Sequence, residues 1–360
     1  MTNILKKISD QGVALWLDDL SRDRIENGQL SELISSKNIV GVTTNPSIFA
    51  NAISKSVKYD SDIKKLTGAN VDEVIQRLTT DDVRAACDLF AKTFKETGGK
   101  DGRVSIEVDP RFAMDTKKTV TQAKQLWKLV NRENLFIKIP ATLPGLPAIT
   151  EVIAEGISVN VTLIFSPFRY RQVFDAYQAG LEQRLAKNLP INQIQSVASI
   201  FVSRIDTEVD KLLTANPELK GLAAVANSVM CYEDFVEMTA QPRWLKLAKH
   251  GGNLQRPLWA STGVKDPSYD PTMYVTKLVA AHTVNTMPES TLNAVLTSGN
   301  CDGDSITANF KSARALIGKL ALMGIDFEKI FTWLEQDGVK KFENSWNELI
   351  NTVTAKVSAT

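Results

Sequence analysis

The sequence predicts a single (β/α)8 barrel with extra helices, spanning residues 1–360. Three observations lead there. Short apolar, β-branched runs recur and alternate with segments of helical periodicity, which implies parallel strands joined by crossover helices. Seven runs are clear and an eighth is weaker, and eight strands close a barrel. No run leads into G-x-G-x-x-G or a P-loop, so an open dinucleotide-binding sheet is disfavoured.

In chain order the runs are "VALWLD" (13–18), "IVGVT" (39–43), "RVSIEV" (103–108), "NLFIKI" (134–139), "ISVNVTL" (157–163), "VASIFV" (197–202), "RPLWAS" (256–261) and the weaker "TVNTM" (283–287). Their shortness and β-branched content favour strands over helix fragments. After the third run, Val120, Ala123, Trp127 and Val130 share one helical face between Asp115 and Asn131. Asp115 or Thr116 is a candidate cap. After the fourth run, Leu146 to Glu155 forms a short helix stopped by Gly156. After the fifth, Ser166 and Pro167 stand in cap-then-proline order. Long helical stretches are expected over 61–98, in an insertion over about 205–250, and at the C-terminus over about 306–356.

Composition narrows the function. The chain is 43% hydrophobic and 23% charged, enough for a core without disulfide or metal staples. Lys plus Arg number 42 against 41 Asp plus Glu, so no overall field draws nucleic acid or an anionic membrane. A small anion remains feasible, since two or three local charges hold a phosphate. Cys87, Cys231 and Cys301 are scattered and odd in number, which argues for a reducing compartment. His250 and His282 are the only histidines, and no Cys/His spacing suits zinc. No signal peptide or membrane span is recognisable, so a soluble cytoplasmic protein is expected.

The strand ends carry unexpected polarity. The first run ends at Asp18, and the second leads into Thr43, Thr44 and Asn45. The third contains Glu107, the fourth Lys138, the fifth Asn160 and Thr162, and the sixth Ser199 with Arg204 just after it. One such residue is usually a loop anchor. Six strands sharing the feature fit a convergent site at the barrel mouth, where the strand C-termini open.

Lys138 is the most informative. A lysine in an apolar strand either snorkels or forms a buried ion pair, or it is a reactive amine. Burial disfavours the ammonium and so favours the neutral, nucleophilic form. A neutral lysine attacks carbonyls to form a Schiff base, an electron sink for making or breaking C–C bonds. Asp18 and Glu107 would then move protons, and Arg204 would suit a phosphate through its planar fork. A divalent metal on the two carboxylates is the weaker alternative, because supporting ligands are lacking. The segment alone leaves the ion pair and the nucleophile both open.

The residues resemble the transaldolases. "GVTTNPSIF" (41–49) is similar to the family's first signature, and "LFIKIPATLPG" (135–145) to its second. "GRVSIEVDPR" (102–111), "GISVNVTLIFS" (156–166), "SIFVSRID" (199–206) and "RPLWASTG" (256–263) also match, in order. The length and "WLDDLSRDRI" (16–25) resemble the longer bacterial members.

The resemblance implies a (β/α)8 barrel that transfers dihydroxyacetone reversibly, with no cofactor or metal. Sedoheptulose 7-phosphate and glyceraldehyde 3-phosphate would yield erythrose 4-phosphate and fructose 6-phosphate. Lys138 matches the Schiff-base lysine, and Asp18 and Glu107 the proton-transfer carboxylates, Glu107 through a water held with Thr162. Asn45 and Asn160 match residues that hold substrate hydroxyls, with Thr43 and Ser199 in the same shell. Phe201 matches a site aromatic, though barrel packing accounts for it equally well. Arg204 matches one phosphate-binding arginine.

One position departs from the family pattern. Many members carry a second phosphate arginine soon after an Ala-Ser pair. Here Ala260-Ser261 is followed by Thr262, Gly263, Val264 and Lys265. Lys265 is therefore expected to supply that charge, with Ser261 donating a hydrogen bond; a solvated loop lysine is the alternative. Asp19 adjoins Asp18, and strand alternation lets only one face inward; Asp18 is expected to. Two rivals remain open: an aldolase that frees dihydroxyacetone, and a non-catalytic sugar-phosphate binder. Phosphorylated sugars are the expected partners, and monomer and homodimer both stay open.

Overall fold

The computed structural model describes residues 3–66 and 68–358. Eight strands form a closed barrel in sequential order: β1 Val13–Leu17, β2 Ile39–Val42, β3 Arg103–Glu107, β4 Leu135–Pro140, β5 Val159–Ile164, β6 Ser196–Phe201, β7 Gln255–Ala260 and β8 Thr283–Met287. Every neighbouring pair is parallel, and β1 pairs with β8 to close the ring. All eight expected runs are strands, including the weak "TVNTM".

The helix ends follow local chemistry. Asp115 caps Thr116–Val130 by accepting from the Lys118 amide, and Asn131 ends it in the left-handed region. Ser166 caps Pro167–Ala186, with the proline in the first turn. Gly145–Ala154 is followed by Glu155 and then Gly156 at φ +89°. The expected stretch 61–98 is broken into Asp60–Lys65, Val71–Leu89 and Ala91–Glu96. Within it, Asn70 and Glu73 form a capping box that starts a new helix. The 205–250 region holds Ala223–Thr239 and Pro242–Lys249 after the shorter Ser203–Val209. The C-terminal region ends in one long helix, Phe327–Ser358. Among the described residues no helix is long and apolar enough to cross a membrane.

The buried apolar side chains form a continuous cluster through the barrel wall and its helices. Below the mouth the interior is plugged by Trp16 of β1, whose ring lies 6.0 Å from that of Phe136 of β4. Gly41 of β2 makes room for it: a β-carbon there would stand 2.6 Å from the indole. Gly41→Ala is therefore expected to destabilise the fold by about 1–3 kcal/mol through overpacking. Urea unfolding of the variant measures this, and an unchanged midpoint would contradict the packing.

Candidate active site

Strand alternation carries the plug upward into a polar layer. Residues two apart share a face, so Trp16 leads to Asp18 and Phe136 to Lys138. Ser105 likewise leads to Glu107, and Gly41 to Thr43. Register then brings neighbours together: Glu107 pairs with Lys138 across β3 and β4, and Lys138 with Asn160 across β4 and β5.

Lys138 is almost fully buried. Its Nζ donates to the Thr44 carbonyl at 2.7 Å and lies 3.4 Å from Glu107 Oε2. The ion pair allowed by the sequence thus exists, but it is the longer of the two contacts. The lysine also lines a cavity of about 310 Å³. Asp18, Thr43, Asn45, Thr162, Ser199, Phe201, Arg204, Ser261 and Lys265 line the same cavity. A structural ion pair needs no such chamber beside it.

The two carboxylates reach the lysine from different sides. Asp18 Oδ1 accepts from Thr43 Oγ1 at 2.7 Å, and that hydroxyl also meets Thr286 Oγ1 at 2.7 Å. Asp19 instead pairs with Arg24 at 2.8 Å, away from the lysine. Glu107 lines an adjoining cavity of about 780 Å³, with Asn45 on the wall of both. Burial pushes both carboxyls above the usual range, and the Lys138 charge pulls them back. Glu107 Oε1 and Thr162 Oγ1 are buried with no hydrogen-bond partner within 3.5 Å in the chain, although Thr162 is near enough to help pull the Glu107 carboxyl down.

A bulge shapes the β5 edge. The β5–β6 register is irregular between Val161 and Ile164, and Leu163 adopts φ +59°. An L-residue there costs about 1–2 kcal/mol, and bulges beside sites redirect side chains. Ser261, at the end of β7, sits at φ +55° and meets Ser203 Oγ at 3.0 Å. Arg204 lies 5.2 Å over the Phe201 ring, and its Nη1 is buried without a partner in the chain. Burial pulls its guanidinium below the ordinary value, opposed by Asp337.

Two expected residues sit differently from the rest. Asn160 is fully buried and absent from the cavity wall. It donates to Ser105 Oγ at 3.1 Å and accepts from Ser199 Oγ at 2.7 Å, so both ends of its amide are bound to the floor. Asn45 lines the cavity, but its side-chain oxygen caps Pro46–Lys55 by accepting from the Ile48 amide at 3.0 Å.

Sequence reading missed one neighbour of the lysine, Phe342, and placed another, Thr44, at the strand ends without its role. Thr44 acts through its backbone carbonyl, which side-chain patterns do not reveal. Phe342 comes from the C-terminal helix, its ring 5.9 Å from Lys138 Nζ. Gly338, Phe342 and Trp346 lie four residues apart on that helix, a detectable stripe. Nothing in the spacing says that the stripe faces the barrel mouth.

Comparison with known proteins agrees with this geometry. Residues 15–353 match the family model described as transaldolase/fructose-6-phosphate aldolase. A Mycolicibacterium smegmatis protein named transaldolase is 53% identical over 362 residues, covering 99% of this chain and 98% of that protein. The Mycobacterium tuberculosis transaldolase is 53% identical over 359 residues, covering 98% and 96%. Streptomyces coelicolor transaldolase 2 is 53% identical over 364 residues, covering 99% and 98%. With a match over nearly the whole chain and a lysine-centred barrel mouth, this chain belongs to the transaldolase/fructose-6-phosphate aldolase family.

Proposed function

We propose that this protein is a transaldolase that moves a dihydroxyacetone unit between phosphorylated sugars through a Schiff base on Lys138. One observation carries the reading: Lys138 Nζ opens onto a cavity shared with Asp18, Arg204 and Lys265, while Glu107 lies 3.4 Å away on its other side.

The Lys138 amine attacks the ketose C2 carbonyl to give a carbinolamine. Glu107 moves protons as water leaves, through a water held with Thr162. Their two unpartnered oxygens support that role. Asp18 then takes the C4 hydroxyl proton, the C3–C4 bond breaks, and the aldose departs. The three-carbon enamine stays on Lys138 until an aldehyde acceptor arrives, and the steps reverse. Thr43 positions Asp18. Asn45 presents its amide to substrate hydroxyls, and Ser199 works with Asn160 beneath it. Phe201 packs along the substrate and supports Arg204.

Arg204, Lys265 and Ser261 hold the phosphate, in a cavity of suitable size for a sugar phosphate. Lys265→Ala is expected to raise KM for phosphorylated substrates about tenfold, the loss of one charge-assisted contact, with little change in kcat. Steady-state kinetics decide, and an unchanged KM would remove Lys265 from the phosphate site. The three free cysteines, two of them buried, suit a reducing cytoplasm.

The purified chain should form sedoheptulose 7-phosphate from fructose 6-phosphate and erythrose 4-phosphate. Cleavage of fructose 6-phosphate to free dihydroxyacetone at the same rate without any acceptor would instead favour the aldolase reading.

A further inference from the structure

We infer that Phe342 roofs the Schiff base and sets how much of the bound three-carbon unit is transferred rather than lost to water. This rests on the Lys138 chemistry proposed above and adds a residue from outside the barrel strands.

The last helix, Phe327–Ser358, crosses the mouth. At one turn, Gly338 faces the β5 bulge. A β-carbon there would lie 2.9 Å from Leu163 Cδ2 and 3.6 Å from Arg204 Nη1. Glycine thus lets the helix approach the strand ends. At the next turn on the same face, Phe342 lines the sugar cavity. Its ring lies 5.9 Å from Lys138 Nζ and 6.5 Å from the Phe201 ring, edge-on. At the third, Trp346 receives the Arg111 guanidinium at 5.6 Å. Arg169–Glu335 at 2.9 Å and Lys356–Asp60 at 2.6 Å fasten the helix toward its two ends. Phe165 extends the aromatic row, 5.5 Å from Phe201.

Phe342 and Phe201 thus give an apolar wall to a chamber that also presents Asp18, Lys138, Arg204 and Lys265, with Phe165 packed behind Phe201. The loss this wall opposes is a defined reaction. A proton adds to the enamine carbon and gives the iminium of dihydroxyacetone. Water then adds at C2, the C–N bond breaks, and Lys138 leaves as its ammonium with the carbonyl product freed. The net change consumes one water and one proton, with no oxidation or reduction. An apolar ring beside the nitrogen limits the water that can deliver a proton to the enamine carbon, the one step that loss does not share with transfer. The aldehyde acceptor adds to the same carbon without that proton, and the water that frees each ketose at C2 is common to both routes, so the protonation step sets the ratio.

The test compares Phe342→Ala with Phe342→Leu on fructose 6-phosphate. Two rates are read: dihydroxyacetone released without acceptor, and transfer to erythrose 4-phosphate. The alanine variant should raise the ratio of release to transfer about tenfold, and leucine should largely restore it. A merely structural role would lower both rates together and leave the ratio unchanged, which would overturn the inference. Should the alanine variant unfold, Phe342→Val replaces it in the same comparison. Borohydride trapping on the unaltered protein runs alongside. No adduct there means that the Schiff-base reading itself has failed. An adduct with an unmoved ratio removes only the roof.

Discussion

Lys138→Ala is expected to lower kcat about 10⁴-fold or more, because the covalent route disappears with the amine. Lys138→Arg should be no better, since guanidinium stays protonated and forms no imine. The fold should survive in Lys138→Ala. Glu107 is then left buried without its cation, and burial already holds its carboxyl above the ordinary range. It takes up a proton rather than remaining a buried charge. Circular dichroism and the coupled transfer assay read both outcomes. Substantial activity in a folded Lys138→Ala protein would remove the lysine from the chemistry.

The two carboxylates should fail differently. Asp18→Asn and Glu107→Gln are each expected to cost about 10²- to 10⁴-fold in kcat, the usual range for a positioned acid or base. Asp18 lies in the sugar cavity, so its loss should stall C–C cleavage and let a six-carbon imine accumulate. Glu107 faces the lysine from the adjoining cavity, so its loss should slow formation of any imine. Rapid quenching into borohydride separates the two, and identical adduct patterns would contradict the division. The pH profile follows from the same burial. A base works when ionised, and both carboxyls are pushed above their ordinary values of 3.8 and 4.5. Activity should therefore rise with pH along an acidic limb lying above those values. A limb at or below 3.8 would contradict the buried placement.

Much of this was legible before any coordinates, for physical reasons. Barrel strands are buried on both faces, so they read as short apolar runs even where "TVNTM" is weak. One polar residue at the end of such a run is usually a loop anchor; six strands ending that way singled out the mouth that holds Asp18, Glu107 and Lys138. Alternation lets only one of Asp18 and Asp19 face inward, Asp18 is favoured as the first after the apolar run, and the structure turns Asp19 to Arg24. The break before Asn70 has its own signals, Gly68 as a stop and Asn70 with Glu73 as a capping box, which the helical composition on either side obscures. Asn160 was expected to hold substrate hydroxyls from its strand-end place and the family resemblance, whereas its amide is bound to Ser105 and Ser199. The carbonyl role of Thr44 and the presence of Phe342 were hidden for different reasons. One contributes only a backbone carbonyl, and the other arrives through tertiary packing of a helix more than two hundred residues from the lysine in sequence.

The central claim is that one amine, Lys138, carries the substrate covalently. Borohydride reduction in the presence of fructose 6-phosphate, followed by peptide mass spectrometry, tests it most directly. A three-carbon adduct on Lys138 and on no other lysine is the expected result. An adduct on a different residue, or none in protein that still catalyses transfer, would contradict the claim.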